Sequence, residues 1–526
     1  MTEQQRTYPP AGEVAIEGRA PAIRGACELF SARDLAPCTI VIFGASGDLA
    51  SRKLIPALYN LFRNNGLPEP VNIVGCGRTE LDHDAFRAKL REALTEAGQI
   101  DPGRWQEFAA NLHYRPVNYD APADYEELGR FLTTLDAGRH TGGNRLFYLA
   151  VPPTLYQIIA ELLGKAGLSQ EAQHGQGWSR IVVEKPFGRD LDSATELDRI
   201  LHGSFREHQI FRIDHYLAKE TVQNILMLRF ANTIFEPLWN RSYIDYVGIV
   251  AAEQLGVEHR AGYYEEAGII RDMFQNHMMQ LLALTALEPP SHFEADRVQD
   301  EKSKVFRSLK SFDVERWSEN LILGQYGAGL VDGVQVPGYR AEPGVRTDSS
   351  TPTFAAMRLF IDNWRWRGVP FYLASGKRLC RKETRIVIQF KQVPHSMFRN
   401  VLEEDIAANR LILGIHPEEE ITLTFQTKTP GARDCLRPVT MDFRYYQGYH
   451  GPALAAYEKV LLDCIQGDHL LFWRQDGVEL TWSFLSPILE VCEVCSMNDQ
   501  RLHPYPAGSL GPTAAMPWMQ RLMDAP

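Results

Sequence analysis

Apolar residues fall into two different rhythms along this chain. Over residues 38–214 they come in short, nearly unbroken runs: Cys38–Phe43, Val71–Cys76, Arg145–Val151 and Arg180–Lys185. Runs this dense predict strands buried on both faces, as in a parallel sheet. Between them lies helical spacing, as in Leu54, Leu58, Leu61 and Phe62, with Pro56 near the start. Strands alternating with helices predict a doubly wound parallel α/β unit.

Beyond residue 240 the pattern changes. Arg385–Val393, Arg410–Ile415, Glu420–Thr427 and Val439–Tyr445 read as strands whose connections are too short for crossover helices. Neighbouring strands of that kind pair antiparallel. Helices at Gly268–Leu287 and Pro452–Cys464 are expected to cover one face of this sheet. Residues 1–37, polar and rich in Pro, Gly and Ala, read as a flexible tail. The predicted organisation is therefore a tail (1–37), an α/β domain (38–214) and a larger α+β domain with a mainly antiparallel sheet (215–526).

Composition narrows the function. The chain has 526 residues, 44% hydrophobic and 23% charged, which fits a folded protein rather than a disordered one. Its net charge of −11 argues against nucleic-acid or anionic-membrane partners, which reward a basic face. No apolar stretch approaches the roughly 20 residues that span a bilayer, and the N-terminus lacks a signal layout. Eight scattered cysteines form no disulfide framework, so a reduced, cytoplasmic setting is expected. Cys492 and Cys495 are spaced C-x-x-C but lie in an apolar helical run, without the four ligands of tetrahedral zinc, so they read as core.

Five segments carry chemistry. Gly44-Ala45-Ser46-Gly47-Asp48-Leu49-Ala50 closes the first strand, where glycine admits a diphosphate and a helix start offers free N–H donors. The motif is either a tight βα connection or a dinucleotide site, and its place closing the first strand favours the second, a Rossmann-like unit. Arg78 ends the second strand, where a cation favours the 2′-phosphate of NADP over NAD. Glu184-Lys185-Pro186-Phe187-Gly188 places a cation at a strand's end. Asp214-His215-Tyr216-Leu217-Ala218-Lys219 reads as a strand end passing into a helix. His215, Tyr216 and Lys219 would then share a helix face suited to a phosphate, or simply be solvated. His277, in an apolar helix, is either a core group or a base. Asp272 is five residues away, about 140° around an α-helix, so a carboxylate orienting His277 must come from elsewhere. Residues 365–391 hold eight basic residues and one acid, a local balance of +7 that reads as an edge strand or as a wall of an anion site.

In order, G-A-S-G-D-L-A, E-K-P-F-G, R-I-D-H-Y-L-A-K-E, G-I-I-R-D-M-F-Q-N-H and P-F-Y-L-A-S-G-K-R-L resemble the glucose-6-phosphate dehydrogenase family from about residue 38 to 515. The resemblance implies oxidation of β-glucose 6-phosphate at C1 with hydride transfer to NADP, without a metal. It implies that His277 is the general base and Asp214 its orienting partner. His215, Tyr216, Lys219 and Lys382 match phosphate-binding positions. Lys185, Glu253, Asp272 and Lys377 match sugar-contacting ones. Gly44 to Ala50, Arg78 and Tyr156 match the coenzyme site, with Lys185 near the nicotinamide. Lys382 fills a position held by Arg in some members. A homodimer or homotetramer, built on the large sheet, is also implied. Two rival readings are another NAD(P)-dependent sugar oxidoreductase, which has no need of the phosphate cluster, and a non-catalytic sensor, which has no need of both Asp214 and His277.

Overall fold

β1 (Cys38–Phe43) lies inside a seven-stranded sheet, and every one of its residues is buried. In the computed structural model, residues 35–171, 177–214, 216–313, 315–398, 406–431, 435–445, 447, 454–497 and 501–524 are described, with the backbone alone for 259 and 491–497. β1 is flanked in parallel by β2 (Val71–Gly77) and β4 (Arg145–Leu149). β3 (Leu112–Pro116) extends one side; β5 (Ser179–Val183) and β6 (Ile210–Ile213) extend the other. The order 3-2-1-4-5-6 is that of a doubly wound sheet, and the strand order reverses between β1 and β4. Burying a side chain such as Ile40, Val41 or Phe43 on either face of β1 contributes about 1.5–3 kcal/mol.

A nine-stranded sheet follows. β7 (Ile244–Ala252) lies between Glu383–Phe390 and Pro370–Gly376. Arg410–His416, Glu420–Lys428 and Leu436–Arg444 continue one side; Phe354–Phe360, β8 (Leu321–Gly327) and Leu502–Pro506 continue the other. Only the pairings of β7 with Pro370–Gly376 and of β8 with Leu502–Pro506 are parallel; the rest are antiparallel. Both expected sheets are present.

Three expectations are corrected. Gly268–Leu287 is not one regular helix. Ala261–Ile269 kinks at Gly268 (φ +56°), Ile270–Met278 is π-helical and Met279–Ala286 is α-helical. The helix expected at Pro452–Cys464 runs from Ala456 to Gln466 and packs on the first sheet, with Val460, Leu461 and Ile465 in one cluster with Ile40 and Leu146. Phe472–Trp473 then adds an antiparallel strand beside β6. Finally, Glu383–Phe390 is central in its sheet rather than an edge.

The basic segment is mostly structural. Arg365 pairs with Glu236 and Glu288, and Arg378 with Glu342. Arg385 Nε donates to Leu522 O at 2.7 Å and Arg381 Nη2 to Met523 O at 2.5 Å, so both satisfy carbonyls at the end of the helix Met516–Met523. Only Lys377 and Lys382 of this segment face the site described next. The tail expectation concerns residues of which 1–34 lie outside the described ones. The side chains of Cys492 and Cys495 lie outside them too.

Candidate active site

The glycine turn is built by β1 and β2 together. Gly44 N and Ala45 N donate to Cys76 O at 2.9 and 3.2 Å, which sets the turn beside the end of β2. Gly44 has φ +81°, and a Cβ there would lie 2.2 Å from Ala150 O, so only glycine fits. Ala45 and Ala50 point into the core, while Gly47 and Asp48 are exposed at the start of the helical segment containing Leu49. Arg78 is exposed directly after β2, its guanidinium 5.8 Å from the Tyr119 ring. An open turn, a helix start and a free-standing cation fit a dinucleotide's phosphates.

Lys185 stands at the end of β5, beside a cleft of about 820 Å³ that is also lined by Thr154, Gln157, Tyr263 and Arg271. Tyr156 itself is buried and donates to Glu184 O at 3.1 Å, so it anchors the strand end that carries Lys185. Trp482 Nε1 donates to Phe187 O at 2.9 Å and fixes the turn from behind. The Lys185–Pro186 bond is cis.

Around His277 the two halves of the chain meet. Asp214 leaves β6 with its carboxylate buried, and Asp214 Oδ1 lies 2.6 Å from His277 Nδ1. On the other side of the ring, Lys185 Nζ lies 2.9 Å from Nε2. A carboxylate only accepts and an ammonium only donates, so Nδ1 carries the hydrogen and Nε2 keeps its lone pair. Tyr216 stacks on the imidazole with ring centres 4.0 Å apart. Burial pushes His277 below the ordinary imidazole value, against the pull of Asp214, and the Lys185 charge lowers it further.

The π-helical bonding interval of five brings Asp272 round to the side of His277, where α-helical geometry would have separated them. Both meet at Lys185, whose Nζ donates to Asp272 Oδ1 at 3.3 Å. Burial alone would raise the Asp272 carboxyl, but Lys185 and Lys377 overcome this and hold it well below the usual carboxylate range. Glu253 and Lys377 leave adjacent strand ends side by side, because Ala252 pairs with Gly376, and they join at 2.5 Å.

Residues 216–218 form a turn, not the first helical turn that the spacing suggested. Tyr216 N donates to Asp214 Oδ1 at 3.0 Å, and the helix begins at Glu220 with Lys219 as its N-cap. The turn still brings Lys219 Nζ to 4.5 Å from the Tyr216 ring. Burial lowers Lys219 and Glu419 raises it, while the nearby Lys382 lowers it again. Lys382 sits where Glu383 begins the strand beside the end of β7, so both lysines face one place. His215 lies outside the described residues.

Sequence reasoning missed several neighbours of the site. Tyr263 donates to Asp272 Oδ1 at 3.5 Å. Thr384 hydrogen-bonds Tyr216, and His416, paired across the sheet with Thr384, is lowered first by burial and then by Lys219 and Lys382. None carries a local signal: Thr384 and His416 are brought in by strand register, and Tyr263 by the helix Ala261–Ile269.

A dinucleotide-type sheet whose carboxyl end supplies a buried carboxylate, joined to a second domain that supplies the imidazole paired with it, defines a two-domain oxidoreductase. Sequence models narrow the class. The glucose-6-phosphate dehydrogenase NAD binding domain matches residues 41–224, and the C-terminal domain of the same enzyme matches 226–524. The chain belongs to the glucose-6-phosphate dehydrogenase family. It is 48% identical to glucose-6-phosphate 1-dehydrogenase of Aggregatibacter actinomycetemcomitans, over 91% of this chain and 94% of the relative. Identity to the Treponema pallidum enzyme of the same name is 45%, over 91% and 93%. Among solved structures, a glucose-6-phosphate dehydrogenase in complex with its substrate glucose-6-phosphate superposes with a TM-score of 0.84 at 36% identity, covering 92% of this chain and 97% of that one. The Mycobacterium avium enzyme gives 0.78 at 34%, covering 93% and 98%.

Proposed function

We propose that this enzyme oxidises β-D-glucose 6-phosphate at C1 to 6-phosphoglucono-1,5-lactone, with NADP as hydride acceptor, the first oxidative step of the pentose phosphate pathway. The observation that carries the reading is the buried pair Asp214 and His277, with Nε2 of the imidazole left basic beside Lys185. NADP, held by the Gly44–Ala50 turn and Arg78, would supply the hydride acceptor for C1. His277 Nε2 takes the C1 hydroxyl proton once that hydroxyl replaces Lys185 as its hydrogen-bond donor, and Asp214 stabilises the resulting imidazolium. Lys185, Glu253, Asp272 and Lys377 orient the sugar as one charged, hydrogen-bonded set. Tyr216, Lys219 and Lys382, with His215, take the phosphate. Gly44, Ala45, Ser46, Gly47, Asp48, Leu49 and Ala50 form the diphosphate turn, Arg78 meets the 2′-phosphate and Tyr156 supports the nicotinamide end through Glu184.

The substrate and the coenzyme are both polyanions, and the local cations answer them despite the chain's −11. The two domains divide between residues 214 and 215, directly after the base's partner. Met441 and Phe443, 56% and 55% exposed on the strand Leu436–Arg444, support a homodimer or homotetramer formed through the large sheet. No helix among the described residues is long and apolar enough to cross a membrane. Cys38, Cys76, Cys380, Cys435 and Cys464 are free thiols, consistent with a cytoplasmic setting. Turnover of glucose 6-phosphate with NADP by purified protein tests the reading, and preference for an unphosphorylated sugar would overturn it.

A further inference from the structure

The helix Ala295–Arg307 packs against Met279–Ala286 and against Gln475–Met497, and buries a lysine between them. Lys302 is 1% exposed, and its Nζ has no hydrogen-bond partner among the described residues. Buried ammonium groups are almost always paired, since stripping water from one costs several kcal/mol. Lys302 Nζ lies 5.9 Å from the Trp473 ring, whose Nε1 donates to Asn276 Oδ1 at 2.6 Å. Asn276 is the residue before His277. Asn276 Nδ2 and both polar atoms of Gln280, one turn further on, are also buried without a partner among the described residues. Buried polar groups left over by the protein are the usual ligands of internal water.

Three charged groups face Lys302: Asp214, Arg474 and Asp476. Arg474 and Asp476 are committed to each other at 2.8 Å. Asp476 also accepts from Ser303 Oγ, and Arg474 also pairs with Asp300. Asp214 is therefore the carboxylate on which the Lys302 charge acts most. We propose that Lys302 is a positioning residue: its buried ammonium, joined through internal water to the Asp214 carboxylate, keeps that group ionised and so sets the proton affinity of His277. This inference rests on His277 as the base. Burial pushes Lys302 down to about 7, with Asp214 opposing the shift, while His277 is held below the ordinary imidazole value, so the lysine takes up its proton before the imidazole does as pH falls.

The test compares wild type with Lys302→Met, Lys302→Gln and Lys302→Arg. Two quantities are read: kcat/KM for glucose 6-phosphate against pH, and the His277 imidazole resonance titrated by NMR, assigned by its loss in His277→Asn. Removing the cation raises the proton affinity of the Asp214–His277 pair, so both neutral variants shift the acid limb and the NMR titration upward by about half a pH unit or more. Lys302→Arg leaves both in place, and KM for NADP is unchanged throughout. If all three variants titrate as wild type and only the melting temperature moves, Lys302 is structural and the inference is overturned. The NMR titration decides this even for a protein that fails to turn over glucose 6-phosphate, which would instead overturn the functional reading.

Discussion

Lys185 and Asp214 hold opposite nitrogens of one imidazole, at 2.9 Å from Nε2 and 2.6 Å from Nδ1 of His277. The carboxylate fixes which nitrogen carries hydrogen, and in the proposed mechanism the ammonium holds the place of the substrate hydroxyl. Each partner also sets the ring's charge, Asp214 by favouring the imidazolium and Lys185 by opposing it.

Replacing His277 by Asn removes the base while keeping a polar side chain of similar size. Steady-state kinetics should show kcat reduced by about 10²–10⁴ with KM for glucose 6-phosphate little changed. Near-normal turnover would take His277 out of the role.

Asp214→Asn should be nearly as damaging, with kcat down by about 10²-fold or more, because an amide can donate to Nδ1 and turn the wrong tautomer toward substrate. The check is kcat alongside glucose 6-phosphate affinity. A large loss of affinity with intact kcat would assign Asp214 to binding instead.

The pH profile follows from the direction of the His277 shift. The base works only when neutral, so kcat/KM falls as pH drops through its pKa. That pKa is depressed by burial, which puts the acid limb below the ordinary value of 6.5. An acid limb above 6.5 would mean that the Asp214 charge outweighs burial and Lys185.

Arg78→Ala should weaken NADP binding with little effect on NAD, measured by the two KM values. Equal losses would place Arg78 away from the 2′-phosphate.

Lys219→Ala should raise KM for glucose 6-phosphate by about tenfold or more, the equivalent of a charge-assisted hydrogen bond. Any turnover of unphosphorylated glucose should be unaffected. Parallel loss on both sugars would move Lys219 from phosphate binding to general support of the site.

Much of this was legible from sequence because the chemistry sits at ends of dense apolar strands. β1, β2 and β5 announce themselves, and Gly44, Arg78 and Lys185 follow directly from where those strands stop. The 214–219 segment shows the limit. Asp214, Tyr216 and Lys219 do gather, but through a turn closed by Asp214 Oδ1, and residue spacing cannot distinguish that from a helical face. The π-helical stretch Ile270–Met278 is a second case: its apolar pattern looks α-helical, yet the altered period turns Asp272 toward His277. Arg381 and Arg385 looked like part of an anion site because local charge does not reveal a distant chain end. Their partners, the carbonyls of Met523 and Leu522, lie more than 130 residues away. Lys302 had no sequence signal at all, since a lysine amid Glu301 and Lys304 reads as solvated surface.

The central claim is tested most directly by mixing the purified protein with glucose 6-phosphate and NADP and following reduced-nicotinamide absorbance. The structure predicts a rise that is far faster with the phosphorylated sugar than with glucose, and that is lost in His277→Asn. No rise with glucose 6-phosphate, or an equal rise with unphosphorylated glucose, would contradict it.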